Sequence, residues 1–342
     1  MHCELLVPAL LPARETLYEA LSELRLPALE TLLARGRASW SEALTPERWL
    51  VEAFDEEDAP LAAGALTLLA DGAPDGGPGQ ARWMRADPVH LRLHGDVLTL
   101  FPSAAFSIVR EEAEALCETL GRHFAGAFTL YPLRAERWCA RLEGELSVAS
   151  ESPLAVAGSE LDAHLRAGPD TRRWHALLNE IQMALHDHPV NRARGERGVP
   201  VVNSVWLWGA GALPASASGP WQSVAADEPI ALGLARLAGM RHRSLPESAE
   251  EWLARAPEDG RYLFVLDALR AASALSDAET YREGLLVLET RWFAPLLAAL
   301  RAGRIGMVTL HVPDAAQALS FETIRGDLRR FWRRARALGS YA

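Results

Sequence analysis

NEIQMALHDHPVNRARGERGVPVVNSVWLWGAG, residues 179–211, decides how this chain is read. Its opening continues a helix, because Trp174, Leu177, Leu178, Ile181 and Leu185 recur at the spacing of one helical face. Its close, Val201 to Trp208, is an apolar run between Pro200 and Gly209, short enough for a buried strand. A polar connection joins the two. Further strand-like runs, Tyr262 to Leu266 and Ile305 to Val312, alternate with helical stretches at Ala231 to Met240, Thr280 to Ala302 and Ile324 to Leu338. This alternation predicts an α/β fold with a mostly parallel sheet flanked by helices, Val201 to Trp208 among its strands.

Working upstream, Glu4 to Leu11 suits a first buried strand, and a helix with a proline break is expected from about Glu15 to Arg35. An acidic cluster (Glu52 and residues 55–58) precedes an Ala/Leu-rich helix, and the glycine- and proline-rich DGAPDGGPGQ, residues 71–80, marks a boundary. Beyond it, Trp83 to Leu100 alternates like strand. Glu111 to Phe124 places Ala113, Leu116, Leu120 and Phe124 on one helix face, and two strands follow around Arg134 to Arg137. These features predict a core formed by residues 1–80 and 190–342, with a smaller α+β lobe, 81–189, inserted in it.

The 342 residues, 49% of them hydrophobic, can bury a substantial core. A net charge of −10 argues against nucleic acid and anionic membrane as partners, since both select a cationic field. The chain has no lysine, which excludes Schiff-base chemistry and a Walker-type phosphate loop. Arginine can still grip phosphate with its planar fork of donors. Cys3, Cys117 and Cys139 are widely spaced and suggest neither disulfides nor a cysteine metal site. With no basic leader and no apolar run approaching the roughly eighteen residues of a membrane span, the expected location is the cytoplasm.

The polar residues of the opening stretch are the first site candidates. Asn179, Gln182 and His186 form a stripe beside the apolar helix face, suited either to orienting a polar ligand or to hydrogen bonding between lobes. His186 and His188 lack a third ligand and a metal site is not expected. Asn191, Arg192, Arg194, Arg197 and Asn203 are the best anion-binding set, and a solvated loop is the competing reading. Gly209, Ala210 and Gly211 would let a ligand approach a strand end. Arg85 and Asp87 read as an ion pair, while His90 and His94 keep acid–base work open. At the far end Leu328, Phe331, Trp332, Ala335 and Leu338 predict a docked helix, with Arg329, Arg330, Arg333 and Arg336 on its outer side, a possible contact for a protein partner. GxSxG, HExxH and CxxC are absent from the sequence.

HPVNRAR, the GVPVVNSVWLWGAG that follows, and GLARLAGM at 233–240 resemble the archaeal-type cofactor-independent phosphoglycerate mutases of the alkaline phosphatase superfamily. The resemblance extends thinly to LPALETLLARG at 26–36. RADPVHL, NEIQM and NSVWLWGAG resemble more closely the bacterial regulatory proteins of RpfE type, an offshoot of those mutases. It implies an alkaline-phosphatase-like core with a smaller inserted domain. It also implies two divalent metals and a serine nucleophile, and here the chain departs. The metal-binding turn after the first strand corresponds to VPALLPA (7–13), the nucleophile segment to PLAAGA (60–65), and the metal-binding HxGD to ALSD (274–277). The late Asp–His pair has no clear counterpart near His311 and Asp314.

Metal-assisted phosphoryl transfer needs ions to spread charge and a nucleophile to carry phosphate. The expectation is therefore a non-catalytic, cofactor-free relative that regulates, binding a phosphorylated metabolite or a protein partner. The alternative is an active mutase or other phosphotransfer enzyme rebuilt around Asp87, His90, His186 and His188.

Overall fold

A computed structural model describes residues 1–11, 17–54, 60–72, 77–94, 97–143, 151–159, 161, 169–255, 259–314 and 317–341. The acidic run at 55–58, residues 73–76 of the boundary loop and the side chain of His94 lie outside this set. The chain forms two compact units: residues 1–57 with 216–342, and residues 58–215. This division differs from the expected one, 1–80 with 190–342 and 81–189, in that residues 58–80 and 190–215 cluster with the smaller unit.

The first unit opens with β1 (His2–Leu6), α1 (Pro27–Arg35), β2 (Arg37–Ser41) and α2 (Pro46–Ala53). The second contains α3 (Ala63–Asp71), β3 (Trp83–His94), β4 (Val97–Pro102), α4 (Arg110–His123), β5 (Phe128–Arg134), β6 (Arg137–Leu142), α5 (Pro153–Val156), α6 (Pro169–His186), α7 (Pro189–Glu196) and β7 (Ser204–Gly211). The first unit resumes with β8 (Ser223–Ala225), α8 (Pro229–Leu237), β9 (Arg241–Arg243), α9 (Ala249–Ala254), β10 (Arg261–Val265) and α10 (Arg270–Ala274). It ends with α11 (Ala278–Leu288), α12 (Ala294–Ala302), β11 (Met307–Val312) and β12 (Ala318–Ile324).

In the first unit seven strands run in the order β2-β12-β11-β1-β10-β8-β9. β11, β1, β10, β8 and β9 run parallel to one another, and β12 and β2 add an antiparallel margin beside β11. Strands buried on both faces carry continuous apolar runs, as Leu263–Phe264–Val265 does. One helical layer is joined through a π-turn, Glu289–Phe293, between α11 and α12. Pro295 lacks the amide that a regular helix would need there. Glu289 in this turn accepts the amides of Ala28 (2.7 Å) and Leu29 (3.0 Å), supplying the N-terminal cap that Leu26 cannot give α1.

In the second unit β4-β3-β6-β5 form an antiparallel sheet, with β7 antiparallel to β3. β7 therefore does not join the parallel sheet. Its apolar run reports burial on both faces without reporting strand direction. On one side Trp206 meets Trp174 of α6 edge-on at 5.6 Å. On the other, Cβ atoms added at Gly209 and Gly211 would come within 2.4 Å and 2.9 Å of the Cβ atoms of Ala63 and Ala62. The GAG sequence thus serves close helix–strand packing, with α3 where a ligand was expected.

The expected C-terminal helix is also replaced. β12 runs through Ile324, a short 3-10 turn covers Arg325–Arg329, and irregular chain follows. Leu338 is buried, but Phe331 and Trp332 are 78% and 67% exposed. Six arginines between 325 and 336 would crowd like charges in a helix, and Arg330 and Arg333 donate instead to the Arg35 and Gly36 carbonyls at the end of α1. The three cysteines are buried and unpaired by disulfides. Among the described residues no helix is long and apolar enough to cross a membrane.

Candidate functional site

Parallel sheets gather polar chemistry at the carboxyl ends of their strands. In the first unit, β10 runs out into Leu266 and Asp267, and α10 begins with Arg270. β8 leads to Glu228, the N-cap of α8, whose carboxylate accepts the amides of Ile230 (3.0 Å) and Ala231 (2.7 Å). Glu47, in the first turn of α2, is buried and forms an ion pair with Arg270. Asp267 lies within the electrostatic reach of Glu47 and Arg270, and its Oδ1 is buried without a hydrogen-bond partner. Three carboxyl groups and one guanidinium thus share one site, Glu47 buried and Asp267, Glu228 and Arg270 half-buried.

Burial sets the charge states. Desolvation pushes the Asp267 carboxyl up to about 6, with Arg270 opposing and Glu47 reinforcing the shift. It pushes Glu228 up to about 7, against the two α8 amides that favour its charged form. For Arg270 desolvation works against the charge, but the fields of Glu47 and Asp267 outweigh it and hold the guanidinium more firmly protonated than usual. The cluster therefore combines a permanent cation with carboxyl groups that exchange protons near neutrality.

Among the described residues, the rest of this edge includes apolar and already engaged groups. After β1, Val7 and Leu10 are buried, and the Tyr281 hydroxyl donates to the carbonyls of Ala9 (2.8 Å) and Leu10 (3.0 Å). Asp277, the surviving acid of ALSD, is the exposed N-cap of α11, accepting from the Thr280 amide at 3.0 Å and its hydroxyl at 2.7 Å. His311 lies 2.9 Å from the Ser320 hydroxyl and 3.3 Å from Glu4, and its ring meets Trp49 of α2 in a tilted contact at 4.7 Å. Desolvation would raise Glu4, but hydrogen bonds from His311 and Arg261 overcome it and lower the carboxyl to about 2.

The two divalent metals implied by the resemblance can be tested against these donors. Glu228 commits both oxygens to backbone amides, Glu47 accepts Arg270, and Asp267 offers one unpartnered oxygen. Divalent ions in phosphoryl-transfer sites need several oxygen ligands each, and a resident guanidinium repels them. The residues do not fit the metals. Among the described residues no group of three His, Cys, Asp or Glu side chains is arranged to hold one.

The ligand-binding candidates between Arg85 and Asn203 all lie in the second unit. Asn191 is buried, donating to the carbonyls of Leu185 (2.9 Å) and Val202 (2.8 Å) and accepting the Val202 amide (3.0 Å). Arg194, also buried, donates to Pro200 and Ser107 carbonyls (each 2.8 Å) and pairs with Glu112 at 2.5 Å. Arg197 reaches the other oxygen of Glu112 at 2.6 Å, and exposed Arg192 donates to the Asp187 carbonyl. Asn203 exchanges two 2.7 Å hydrogen bonds with the backbone of Leu91, extending the β7–β3 ladder through a side chain. These groups converge, yet on one another and on the backbone.

Arg85 and Asp87 do form the expected buried pair. Arg85 also reaches Thr67 at 3.4 Å, and Asp87 accepts the Trp208 indole at 2.7 Å. His90 lies 2.9 Å from the Val201 carbonyl, and His188 caps α7 while meeting Thr119 at 3.1 Å. Asn179 and His186 are exposed and Gln182 is half-buried. Sequence reasoning missed Glu47, Glu228 and Arg270. The available signal was position: LDALR and DEP each put an acid directly after a buried strand.

The comparisons with known proteins bear on this geometry. The 2,3-bisphosphoglycerate-independent phosphoglycerate mutase of Methanosarcina mazei is 27% identical over 199 residues, covering 56% of this chain and 49% of that protein. A probable mutase of the same description from Geobacter sulfurreducens is 36% identical over 75 residues, 22% of this chain and 19% of its own. The Methanothrix thermoacetophila mutase is 29% identical over 111 residues, 32% and 28% of the two chains. The chain is homologous to cofactor-independent phosphoglycerate mutases. It spans about half the length of the first of these curated relatives and less of the others. No protein-family profile matches it. Among solved structures, the PH0037 protein from Pyrococcus horikoshii is 12% identical with a TM-score of 0.54, covering 94% of this chain and 87% of that one, and shows the shared fold. The cofactor-independent phosphoglycerate mutase of Thermoplasma acidophilum covers 95% and 90% at 17% identity and a TM-score of 0.46.

Proposed function

We propose that this protein is a phosphoglycerate-mutase-like regulator of RpfE type that does not itself transfer phosphate. The observation that carries the reading is the burial of Arg270 among Glu47, Asp267 and Glu228. A guanidinium fixed in the sheet's carboxyl edge supplies by covalent attachment the positive charge that a metal-dependent relative would recruit from solution. It can neither accept a phosphoryl group nor activate water as a bound metal does. The segment aligned with a nucleophile is equally committed, since Ala62 and Ala63 of PLAAGA pack against β7. An active site rebuilt around Asp87, His90, His186 and His188 draws no support from geometry in which Asp87 is locked between Arg85 and Trp208.

The test is a coupled phosphoglycerate mutase assay, in both directions, with and without manganese, beside equilibrium dialysis of manganese against the same protein. The expected result is no turnover above the buffer rate and no saturable ion binding. Turnover that is lost on Asp267→Asn would overturn the reading.

A further inference from the structure

On the antiparallel margin of the first unit, the end of α1, the start of β2, Leu319 and Phe321 of β12 and the segment after Arg329 line a cleft of about 1090 Å³. It shares no residue with the carboxyl-edge cluster. Residues 325–336, RGDLRRFWRRAR, hold six arginines and one aspartate in a chain whose net charge is −10. The local field is opposite to that of the whole.

Two of these arginines hold the segment in place. Arg330 donates to the Arg35 carbonyl at 3.3 Å and pairs with Asp327 at 2.8 Å, while Arg333 donates to the Gly36 carbonyl at 2.9 Å. They complete the carbonyl end of α1, where cations are favoured. Arg37, Arg334 and Arg336 also line the cleft and have no ion-pair partner among the described residues. Two acids lie near. Asp327 is occupied by Arg330 and the Ile324 amide, and Glu322 stands opposite Arg37 in the β12–β2 register, but neither lines the cleft. Trp332, two-thirds exposed, and Tyr341 add aromatic surface to the same wall.

We propose that this cleft binds a nucleoside polyphosphate, with its phosphates on Arg37, Arg334 and Arg336 and its base against Trp332. Guanidinium forks match phosphate oxygens in pairs, and an exposed indole offers a stacking face that any base can use. At about 1090 Å³ the cleft is slightly larger than the usual range of small-molecule pockets, roughly 300–1,000 Å³. A phosphosugar would engage the arginines and leave the indole without a role. The proposal stands apart from the reading of the carboxyl edge.

Isothermal titration of the full chain with ATP, GTP, inorganic tripolyphosphate and adenosine tests it. The expected pattern is saturable binding of a nucleoside triphosphate, weakened roughly tenfold or more by the double substitution Arg334→Gln, Arg336→Gln, as loss of charge-assisted contacts requires. Trp332→Ala weakens the nucleotide and leaves tripolyphosphate unchanged. These side chains are exposed, and circular dichroism of each variant separates lost binding from lost fold. Absence of binding by both nucleotides at millimolar concentration overturns the proposal, as does affinity unchanged in the double variant. Tripolyphosphate matching the nucleotides overturns the nucleoside assignment, and so does a single-stranded oligonucleotide that binds more tightly than either.

Discussion

Replacing Arg270 by methionine isolates the charge balance of the carboxyl edge. The substitution keeps much of the side chain's bulk and removes the positive charge that faces Glu47, Asp267 and Glu228. Breaking one side of a buried ion pair strands the other, at a cost of about 3–5 kcal/mol. The sign with pH follows from the protons bound. Asp267 at about 6 and Glu228 at about 7 lie above their unfolded values, so the folded wild type already holds more protons than the unfolded chain between about pH 4 and 7. Each group therefore lowers stability as pH rises through that window, by up to roughly 3 kcal/mol for a shift near two units. Glu4, depressed to about 2, acts oppositely: its contribution is complete above its unfolded value and is lost toward pH 2. Without Arg270 the carboxyls lose their opposing charge and their protonation rises further. The deficit of Arg270→Met should thus be largest at pH 8 and shrink toward pH 5. Urea titrations followed by circular dichroism at both pH values measure it. The double substitution Glu47→Leu, Arg270→Met should recover most of the loss, since removing both partners leaves no stranded charge. A single variant within about 1 kcal/mol of wild type at pH 8 would refute the reasoning, as would a double variant no better than the single.

Three further outcomes test the second unit. Asn191→Ala leaves two carbonyls and one amide without their partner in a buried setting, and thermal melts should show a loss of roughly 2–4 kcal/mol; Arg197→Ala, at an exposed pair, should lose less than about 1 kcal/mol. An anion-binding role alone would give the two variants similar stability. Trp208→Phe strips Asp87 of its 2.7 Å indole donor and should cost about 1–3 kcal/mol, read from the urea midpoint. Gly64→Ala drives a Cβ to 2.5 Å from the Met84 backbone, so α3 must shift off β3; a cost of about 3 kcal/mol is expected, and a neutral result in the same assay would contradict the packing.

Much of the architecture could be read before the structure, because periodicity reports which faces are buried. Tyr262 to Leu266 and Ile305 to Val312 were placed within two residues of β10 and β11, and Glu111 to Phe124 within one of α4. What periodicity cannot report is pairing. β7 looked like a parallel strand because two covered faces produce the same apolar run whatever the neighbour's direction. The C-terminal stretch carried a helical pattern at Leu328, Phe331, Trp332 and Leu338, and lost to contacts made by Arg330 and Arg333 on a helix far away in sequence. The asparagines and arginines between 191 and 203 drew attention by their density. That density reflects the needs of a tight turn and a strand margin, where buried backbone groups require side-chain partners.

The carboxyl-edge cluster shows why its residues were the hardest to find. Glu47, Glu228 and Arg270 sit on three different elements, and each in isolation has an ordinary reading: a first-turn acid of α2, the N-cap of α8 and the first residue of α10. Only tertiary structure makes them neighbours, and only burial turns neighbours into a site. The same burial makes the arginine consequential. In water a guanidinium beside a carboxylate contributes little. Where solvent is mostly excluded, one cation bears strongly on whether three neighbouring carboxyl groups can be charged together. A metal-bound edge would release that charge when the ion leaves. With Arg270 in place the charge cannot leave, and Asp267 and Glu228, both raised by desolvation, can take up protons beside it.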